Sequence, residues 1–150
     1  MSDFISKITF KCSLEIFYQF NLNLFRNDIW TIPLSYLNTS NQYQYDLIDE
    51  REKQITVSFN NNLPKFNVEG SGFYLVNYDA EDWKTLTKSL LKNSSLLTPS
   101  DRGNLIADSA YLSRAKLLNV ETALNLTLYL TNEQHFVPWA IGYRMIGKIE

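Results

Sequence analysis

The chain has 150 residues, of which 45% are hydrophobic and 20% charged, and its formal net charge at pH 7 is −2. These proportions are ordinary for a globular protein with a sizeable core. Lys and Arg do not cluster, so the basic patch of a nucleic-acid-binding protein is absent from the sequence. No apolar run reaches the ~18 residues of a transmembrane helix, and residues 1–7 lack the pattern of a signal peptide. These features leave the compartment undetermined.

The first half of the chain alternates apolar and polar residues with the period of two that β-strands show. The apolar positions form four groups: Leu14, Ile16, Tyr18 and Phe20; Trp30, Ile32 and Leu34; Tyr43, Tyr45 and Leu47; Ile55, Val57 and Phe59. Polar segments at 38–41 and 60–62 are typical of the turns between such strands. This spacing predicts a partial antiparallel β-sandwich over residues 1–78.

Residues 70–79, GSGFYLVNYD, predict the junction between a β layer and a helical layer. Glycines before an aromatic and β-branched run indicate a turn, followed by a strand over residues 73–78 that is buried on both faces. Asp79 is then placed to cap a helix that begins near Ala80.

After Asp79 the apolar residues follow the period of a helix. The stripe of the first predicted helix contains Trp83, Leu86, Leu90 and Leu91. Thr98 followed by Pro99 predicts the N-cap and the first position of a second helix.

Two further helices are predicted towards the end of the sequence. Asn119 is placed to cap a helix over residues 120–130, which is apolar nearly all round and therefore needs neighbours on more than one side. Pro138 is expected to open a fourth helix that runs to the last residue. Residues 79–150 thus resemble the beginning of an α-solenoid, and the predicted fold class is α+β.

Four short motifs occur in order at residues 29–34, 70–79, 101–110 and 133–139. They resemble the W-x-[IV]-P-[IL] strand, the G-[FY]-Y-R-V-N-Y-D junction, the [DN]-R-A-x-[LI]-I-x-D-A helix and the E-x-x-x-x-P-W element of the aminopeptidase N family of zinc aminopeptidases. The resemblance covers about residues 28–147, whereas residues 1–27 match poorly. Leu75 stands where the family has an arginine.

The resemblance implies the C-terminal region of a peptidase that binds peptides and removes the N-terminal amino acid, with a β-sandwich followed by the start of a helical domain. Catalysis in this family requires zinc held by H-E-x-x-H and a downstream glutamate. The chain contains one histidine, His135, so that motif cannot occur here. We therefore expect no catalytic residue, metal ligand or cofactor in this chain, and an exposed or capping role for His135.

Arg102 and Asp108 are the candidate site residues. They lie six positions apart on one predicted helix, so their side chains point in different directions and cannot pair. The resemblance suggests a contact between Arg102 and a peptide carboxylate. The alternative is an inward charge satisfied by another helix or by loop carbonyls, which we favour because an unpaired inward charge is costly.

Three N-x-[ST] sequons begin at Asn38, Asn93 and Asn125 and would be glycosylation sites in a secreted protein. Chance occurrence in an Asn-rich chain is the preferred interpretation without a signal sequence. Members of the family are often membrane-anchored ectodomains or cytoplasmic proteins.

The expected partners are a catalytic aminopeptidase domain, a peptide, or a second copy of the chain bound through its helical end. Two alternatives to a peptidase fragment remain open. One is a stand-alone protein- or peptide-binding module, and the other is a truncated gene product without an independent role.

Overall fold

The computed structural model describes residues 5–11, 31–38, 40, 42–50, 52–58, 63 and 65–146. The chain divides into two compact units, Met1–Gly72 and Phe73–Glu150. In the described residues the first unit carries the β-strands and the second carries the α-helices, which makes the fold α+β. The division falls after Gly72, whereas the sequence pattern places it after residue 78.

The described strands of the first unit form two antiparallel pairs. They are β1 (Ile5–Lys11), β2 (Ile32–Leu37), β3 (Tyr43–Ile48) and β4 (Glu52–Ser58). β1 pairs with β4, with Ile5 opposite Ser58, and β2 pairs with β3, with Ile32 opposite Ile48. Along the chain, the β2–β3 pair therefore lies between β1 and β4. Leu34, Ile48, Val57, Phe66 and Val68 are buried in this unit.

The strands predicted around Tyr45 and Val57 are confirmed by β3 and β4, although Phe59, which belongs to the second prediction, lies outside the described residues. The strand predicted around Ile32 is also confirmed, although Trp30 lies outside the described residues. The strand predicted over residues 14–20 lies outside them as well. β1 was not predicted, because Ile5 and Ile8 are three positions apart and interrupt the alternation of period two.

The strand predicted over residues 73–78 is wrong. The backbone there forms bends and irregular structure, and Phe73 is 97% exposed, while Val76 and Tyr78 are buried. The Val76 N–H donates to the carboxylate of Asp108 at 3.1 Å. That N–H is therefore unavailable for pairing with a neighbouring strand. The segment is held instead by a hydrogen bond to a residue of the helical unit.

The second unit contains four described α-helices. They are α1 (Ala80–Lys92), α2 (Pro99–Arg114), α3 (Val120–Thr127) and α4 (Phe136–Ile146), with 3-10 turns at Ser94–Leu96 and Leu128–Asn132. The three predicted N-caps are confirmed. Asp79, Thr98 and Asn119 each accept a hydrogen bond from a backbone N–H in the first turn of the helix that follows.

The last two helices differ from the prediction at their ends. α3 stops at Thr127 and tightens into the 3-10 turn instead of continuing to residue 130. α4 begins before Pro138, because the Nδ1 atom of His135 accepts the Val137 N–H at 3.3 Å and caps the helix. Pro138 is then a first-turn residue, where its missing N–H costs no helical hydrogen bond. Residues 147–150 lie outside the described part of the chain.

Close contacts with two glycines set the packing of α2 and α4. A Cβ atom on Gly103 of α2 would lie 2.5 Å from Cδ1 of Ile141, and one on Gly142 of α4 would lie 2.8 Å from Cδ1 of Leu130. The core of the second unit contains Trp83, Leu86, Leu90, Leu105, Ile106, Leu112, Ala123, Leu126, Tyr129 and Leu130. Leu91, which the sequence assigns to the α1 stripe, is 40% exposed.

Among the described residues, every helix is too short or too polar to cross a membrane.

Candidate functional site

Arg102, one of the two candidate site residues, lies in the first turn of α2 and is buried. Its Nε donates to Oε2 of Glu133 at 2.6 Å, and its Nη2 donates to Oε1 of the same carboxylate at 2.8 Å. Two parallel charge-assisted hydrogen bonds form the strongest geometry that an arginine and a carboxylate can adopt. Glu133 precedes α4, so this ion pair ties α2 to the segment that leads into α4.

The remaining guanidinium nitrogen of Arg102 contacts the connection between α1 and α2. Nη1 donates to the carbonyl of Leu97 at 2.6 Å and to the carbonyl of Ser94 at 3.1 Å. The three guanidinium nitrogens therefore all have partners inside the second unit. One side chain links the 3-10 turn before α2, α2 itself and the segment before α4.

Glu133 holds the start of α4 in addition to Arg102. Its Oε1 accepts the N–H groups of Gln134 and His135 at 3.0 and 2.9 Å, and its backbone carbonyl accepts Nε1–H of Trp139 at 3.0 Å. Burial raises the pKa of the Glu133 carboxyl, but the Arg102 hydrogen bonds and these N–H donors outweigh burial and lower the pKa overall. Glu133 is therefore ionised at neutral pH.

The Tyr129 hydroxyl is the unusual group beside this ion pair. Within the described residues it is fully buried and makes no hydrogen bond of ordinary distance and angle, although the Arg102 guanidinium lies near enough to favour its ionised form. Burial raises the pKa of Tyr129 well above its usual range, the negative charge of Glu133 adds to the rise, and Arg102 opposes it. The hydroxyl is therefore neutral, and its burial without a partner costs free energy of folding.

A polar crevice of about 390 Å³ opens beside the ion pair. It is lined by Ser94, Ser95, Arg102, Asn132, Glu133, Gln134 and His135. In the described part of the chain no hydrogen bond joins His135 to Ser94 or Ser95, so the crevice lacks the nucleophile–base contact of a hydrolase. The two charged residues that line it, Arg102 and Glu133, already neutralise each other through their ion pair.

The donor atoms at this crevice do not suit zinc. The Glu133 carboxylate is occupied by Arg102 and two backbone N–H groups, and His135 uses Nδ1 to cap α4. Among residues with described positions, no three His, Cys, Asp or Glu side chains come together as a ligand set. A structural or catalytic zinc site takes at least three protein ligands, so we derive no chemistry through a metal here.

Asp108, the second candidate residue, is buried on α2 and is not brought together with Arg102. One carboxylate oxygen accepts the Val76 N–H, and the other accepts Nδ2–H of Asn104 at 3.4 Å. Asp108 therefore fixes the segment before α1, while Arg102 fixes the segments before α2 and α4.

The three sequon asparagines have different surroundings. Asn38 is half-buried and its Oδ1 accepts the N–H groups of Ser40 and Gln42. Asn93 is exposed and caps the following 3-10 turn through the Ser95 N–H. Asn125 is exposed on α3. Glycosylation at these positions stays a prediction.

Glu133 and Tyr129 are the site residues that sequence reasoning missed. Arg102 lies in the third motif and Glu133 opens the fourth, but the two residues are 31 positions apart and no pattern in the sequence specified their pairing. Tyr129 gave no signal either, because a tyrosine in an apolar helix is ordinary for a core position.

The fold and the site define a helical domain that follows β-strands and whose buried charges hold its helices together. Residues 63–150 match the model of the ERAP1-like C-terminal domain. This match covers more than half of the chain, and the chain therefore belongs to that family.

The relatives found by comparison are aminopeptidases, which confirms the resemblance. Glutamyl aminopeptidase of Rattus norvegicus is 37% identical over 113 residues, covering 73% of this chain and 12% of the relative. Endoplasmic reticulum aminopeptidase 2 of Bos taurus is 36% identical over 128 residues, covering 80% and 13%. Aminopeptidase N of Mus musculus is 32% identical over 114 residues, covering 75% and 12%. The chain thus spans about an eighth of the length of these relatives.

Proposed function

We propose that these 150 residues act as a non-catalytic C-terminal-type region of an aminopeptidase-like protein. Their role is to provide a rigid helical layer that supports a catalytic domain formed by other residues. Zinc and the reacting groups belong to that catalytic domain. The observation that carries the proposal is that all three guanidinium nitrogens of Arg102 have partners within the helical unit, in Glu133, Leu97 and Ser94.

A peptide-binding role for Arg102 is disfavoured by the same contacts. A peptide carboxylate would have to displace Glu133, whose charge would then remain buried with only its backbone N–H donors. Breaking a buried ion pair in this way costs about 3–5 kcal/mol. The incoming carboxylate offers the same two hydrogen bonds that it replaces, so the exchange has no compensating gain.

Calorimetric titration separates the structural role of Arg102 from the peptide-binding role. A short apolar peptide with a free C-terminal carboxylate is compared with the same peptide as its C-terminal amide. We expect no difference between the two titrations for the parent chain. The structural role would be contradicted if the peptide binds only with a free carboxylate, if Arg102→Met abolishes this binding, and if Arg114→Met leaves it intact.

A stand-alone binding module is the second candidate function. It is favoured by large apolar side chains that remain exposed on α4, including Phe136 at 79% and Tyr143 at 85%. Co-purification from cell extract distinguishes this function from a supporting layer. A module should retain one specific partner that is lost on Tyr143→Glu, whereas a gene product without an independent role should retain none.

A further inference from the structure

The start of α4 depends on a histidine cap. His135 directly precedes α4, and its Nδ1 atom accepts the Val137 N–H at 3.3 Å. A cap of this kind satisfies one of the N–H groups that the first turn of a helix leaves without an intrahelical partner. The other three described α-helices are capped by side-chain oxygen atoms, those of Asp79, Thr98 and Asn119. Histidine differs from these residues because it is the side chain that gains a proton between about pH 5 and 8.

Protonation of His135 removes the atom that caps α4. A neutral imidazole that accepts at Nδ1 carries its hydrogen on Nε2, so an added proton goes to Nδ1 itself. The resulting imidazolium only donates hydrogen bonds, and the Val137 N–H loses its acceptor. The new positive charge also lies beside the positive end of the α4 dipole. Both effects weaken the first turn of α4 in acid.

The Glu133 carboxylate is the group that could compensate by attracting the imidazolium, but its oxygen atoms are already engaged. Oε1 accepts hydrogen bonds from Nη2 of Arg102 and from the N–H groups of Gln134 and His135, and Oε2 accepts one from Nε of Arg102. The Arg102 guanidinium carries the same charge as an imidazolium and repels it. The ion pair therefore offers a protonated His135 no substitute for the lost cap bond.

The other charged groups on the elements around α4 lie away from this cap. α2 packs against α4, and its Arg102 lines the crevice that His135 borders. The remaining charged residues of α2 do not line that crevice; they are Asp101, Asp108 and Arg114. The 3-10 turn Leu128–Asn132 has no charged residue, and the charge on α4 itself, Arg144, is in its last turn. The cap bond and the helix dipole therefore decide how α4 responds to a proton on His135.

We propose that His135 is a pH-sensitive cap, which holds the first turn of α4 while its imidazole is neutral and releases that turn when Nδ1 is protonated. The turn begins at Phe136, whose side chain is 79% exposed, and it adjoins the part of the crevice wall formed by Gln134 and His135. Acidification should loosen this wall while the ion pair persists, because the pKa of Glu133 lies below its ordinary value. The pH-sensitive cap is independent of the supporting role proposed above, and its failure leaves that role untouched.

Nuclear magnetic resonance of the full chain tests the cap directly. His135 is the only histidine in the chain, so its imidazole nitrogens are observed without overlap. At pH 8 we expect hydrogen on Nε2, which leaves Nδ1 as the acceptor. Between pH 8 and pH 5 the protection of the Val137 N–H against hydrogen exchange, corrected for the intrinsic rate, should fall about tenfold and follow the imidazole titration. Hydrogen on Nδ1 at pH 8, or protection that does not follow the titration, overturns the proposal.

His135→Asn is the matched variant, because asparagine caps a helix through its side-chain oxygen and does not titrate. Its Val137 N–H should keep the same protection at pH 5 and pH 8. His135→Ala lacks a cap, so its protection should be as low at both pH values as that of the parent at pH 5. Protection that falls in acid to the same extent in His135→Asn as in the parent overturns the proposal, because the fall would then not come from the imidazole.

Urea unfolding at pH 5 and pH 8 gives a second readout. The unfolded chain binds a proton on His135 without losing a cap, so the folded state should lose stability as the pH falls. From pH 8 to pH 5 the unfolding equilibrium constant should rise about fivefold more for the parent than for His135→Asn. Comparing the two chains cancels other titrating groups such as Asp82, whose pKa is raised by burial and by Asp79. An equal rise in both chains, or a parent that gains stability in acid relative to the variant, overturns the proposal.

Discussion

Removing the Arg102 guanidinium is the sharpest test of how the helical unit is held together. Arg102→Met keeps an unbranched side chain of similar length and deletes only the charged, hydrogen-bonding end. The change breaks both hydrogen bonds to Glu133 and leaves the Leu97 and Ser94 carbonyls without this donor. Removing one member of a buried ion pair costs about 3–5 kcal/mol. We expect a loss at the lower end, about 3 kcal/mol, because two backbone N–H groups still bind the Glu133 carboxylate.

The partner variant completes a double-mutant cycle. Glu133→Gln keeps the shape of the side chain and one acceptor oxygen, so we expect a smaller loss of about 1.5–3 kcal/mol. The double variant should lose at least about 1 kcal/mol less than the sum of the single losses, because both remove the same contact. Arg114→Met, on an exposed arginine at the end of α2, is the control and should cost no more than about 0.5 kcal/mol.

Urea unfolding at pH 7, followed by far-ultraviolet circular dichroism and by tryptophan fluorescence, measures these losses. The slope of each transition reports whether the variants unfold from the same compact state. An Arg102→Met chain within about 0.5 kcal/mol of the parent would refute the structural role of the guanidinium. Strict additivity of the two single variants would show that the observed hydrogen bonds do not couple them.

The same helical unit supports three further predictions. The pKa of Glu133 is lowered in the folded chain, so the unfolded chain takes up the proton more readily. The stability that Glu133 contributes should be fully present above its unfolded pKa of about 4.3 and lost as the pH falls through its folded pKa. Urea midpoints measured from pH 3 to 6 should therefore rise with pH, and Arg102→Met should flatten this rise. Tyr129→Phe removes a buried hydroxyl without a partner among the described residues and should leave the free energy of unfolding unchanged or raise it by up to about 1 kcal/mol. A clear fall in the thermal unfolding midpoint would reveal a hydrogen-bond partner. Gly103→Ala places a Cβ atom 2.5 Å from Cδ1 of Ile141 and should lower the free energy of unfolding by about 1 kcal/mol. Adding Ile141→Val should recover part of that loss. A Gly103→Ala chain as stable as the parent would show that the Ile141 side chain moves aside freely.

Local chemistry explains why the helix starts could be predicted from sequence. Asp79, Thr98 and Asn119 cap their helices through N–H groups only two or three positions away, so each signal is complete within a few residues. The inward direction of Arg102 was also readable, because it depends only on helical periodicity. Its partner Glu133 lies 31 positions further along the chain, and no local pattern specifies such a pair.

Contacts distant in sequence also explain the main error. The alternating pattern of residues 73–78 is typical of a strand, yet the Val76 N–H is taken by Asp108, 32 positions away. A single tertiary hydrogen bond from a buried carboxylate replaces the strand pairing that the pattern favours. The start of α4 was misplaced for a related reason, since His135 acts as a cap although histidine is not a preferred N-cap residue.

Aminopeptidase activity of the purified chain tests the non-catalytic role most directly. The chain is passed through a sizing column in buffer containing zinc, and each fraction is assayed with fluorogenic aminoacyl substrates. We expect no turnover above the blank in the fractions that contain the chain. Turnover that co-elutes with the chain, rises in proportion to its concentration and is lost on Glu133→Gln would contradict a non-catalytic role and would place reacting groups within these 150 residues.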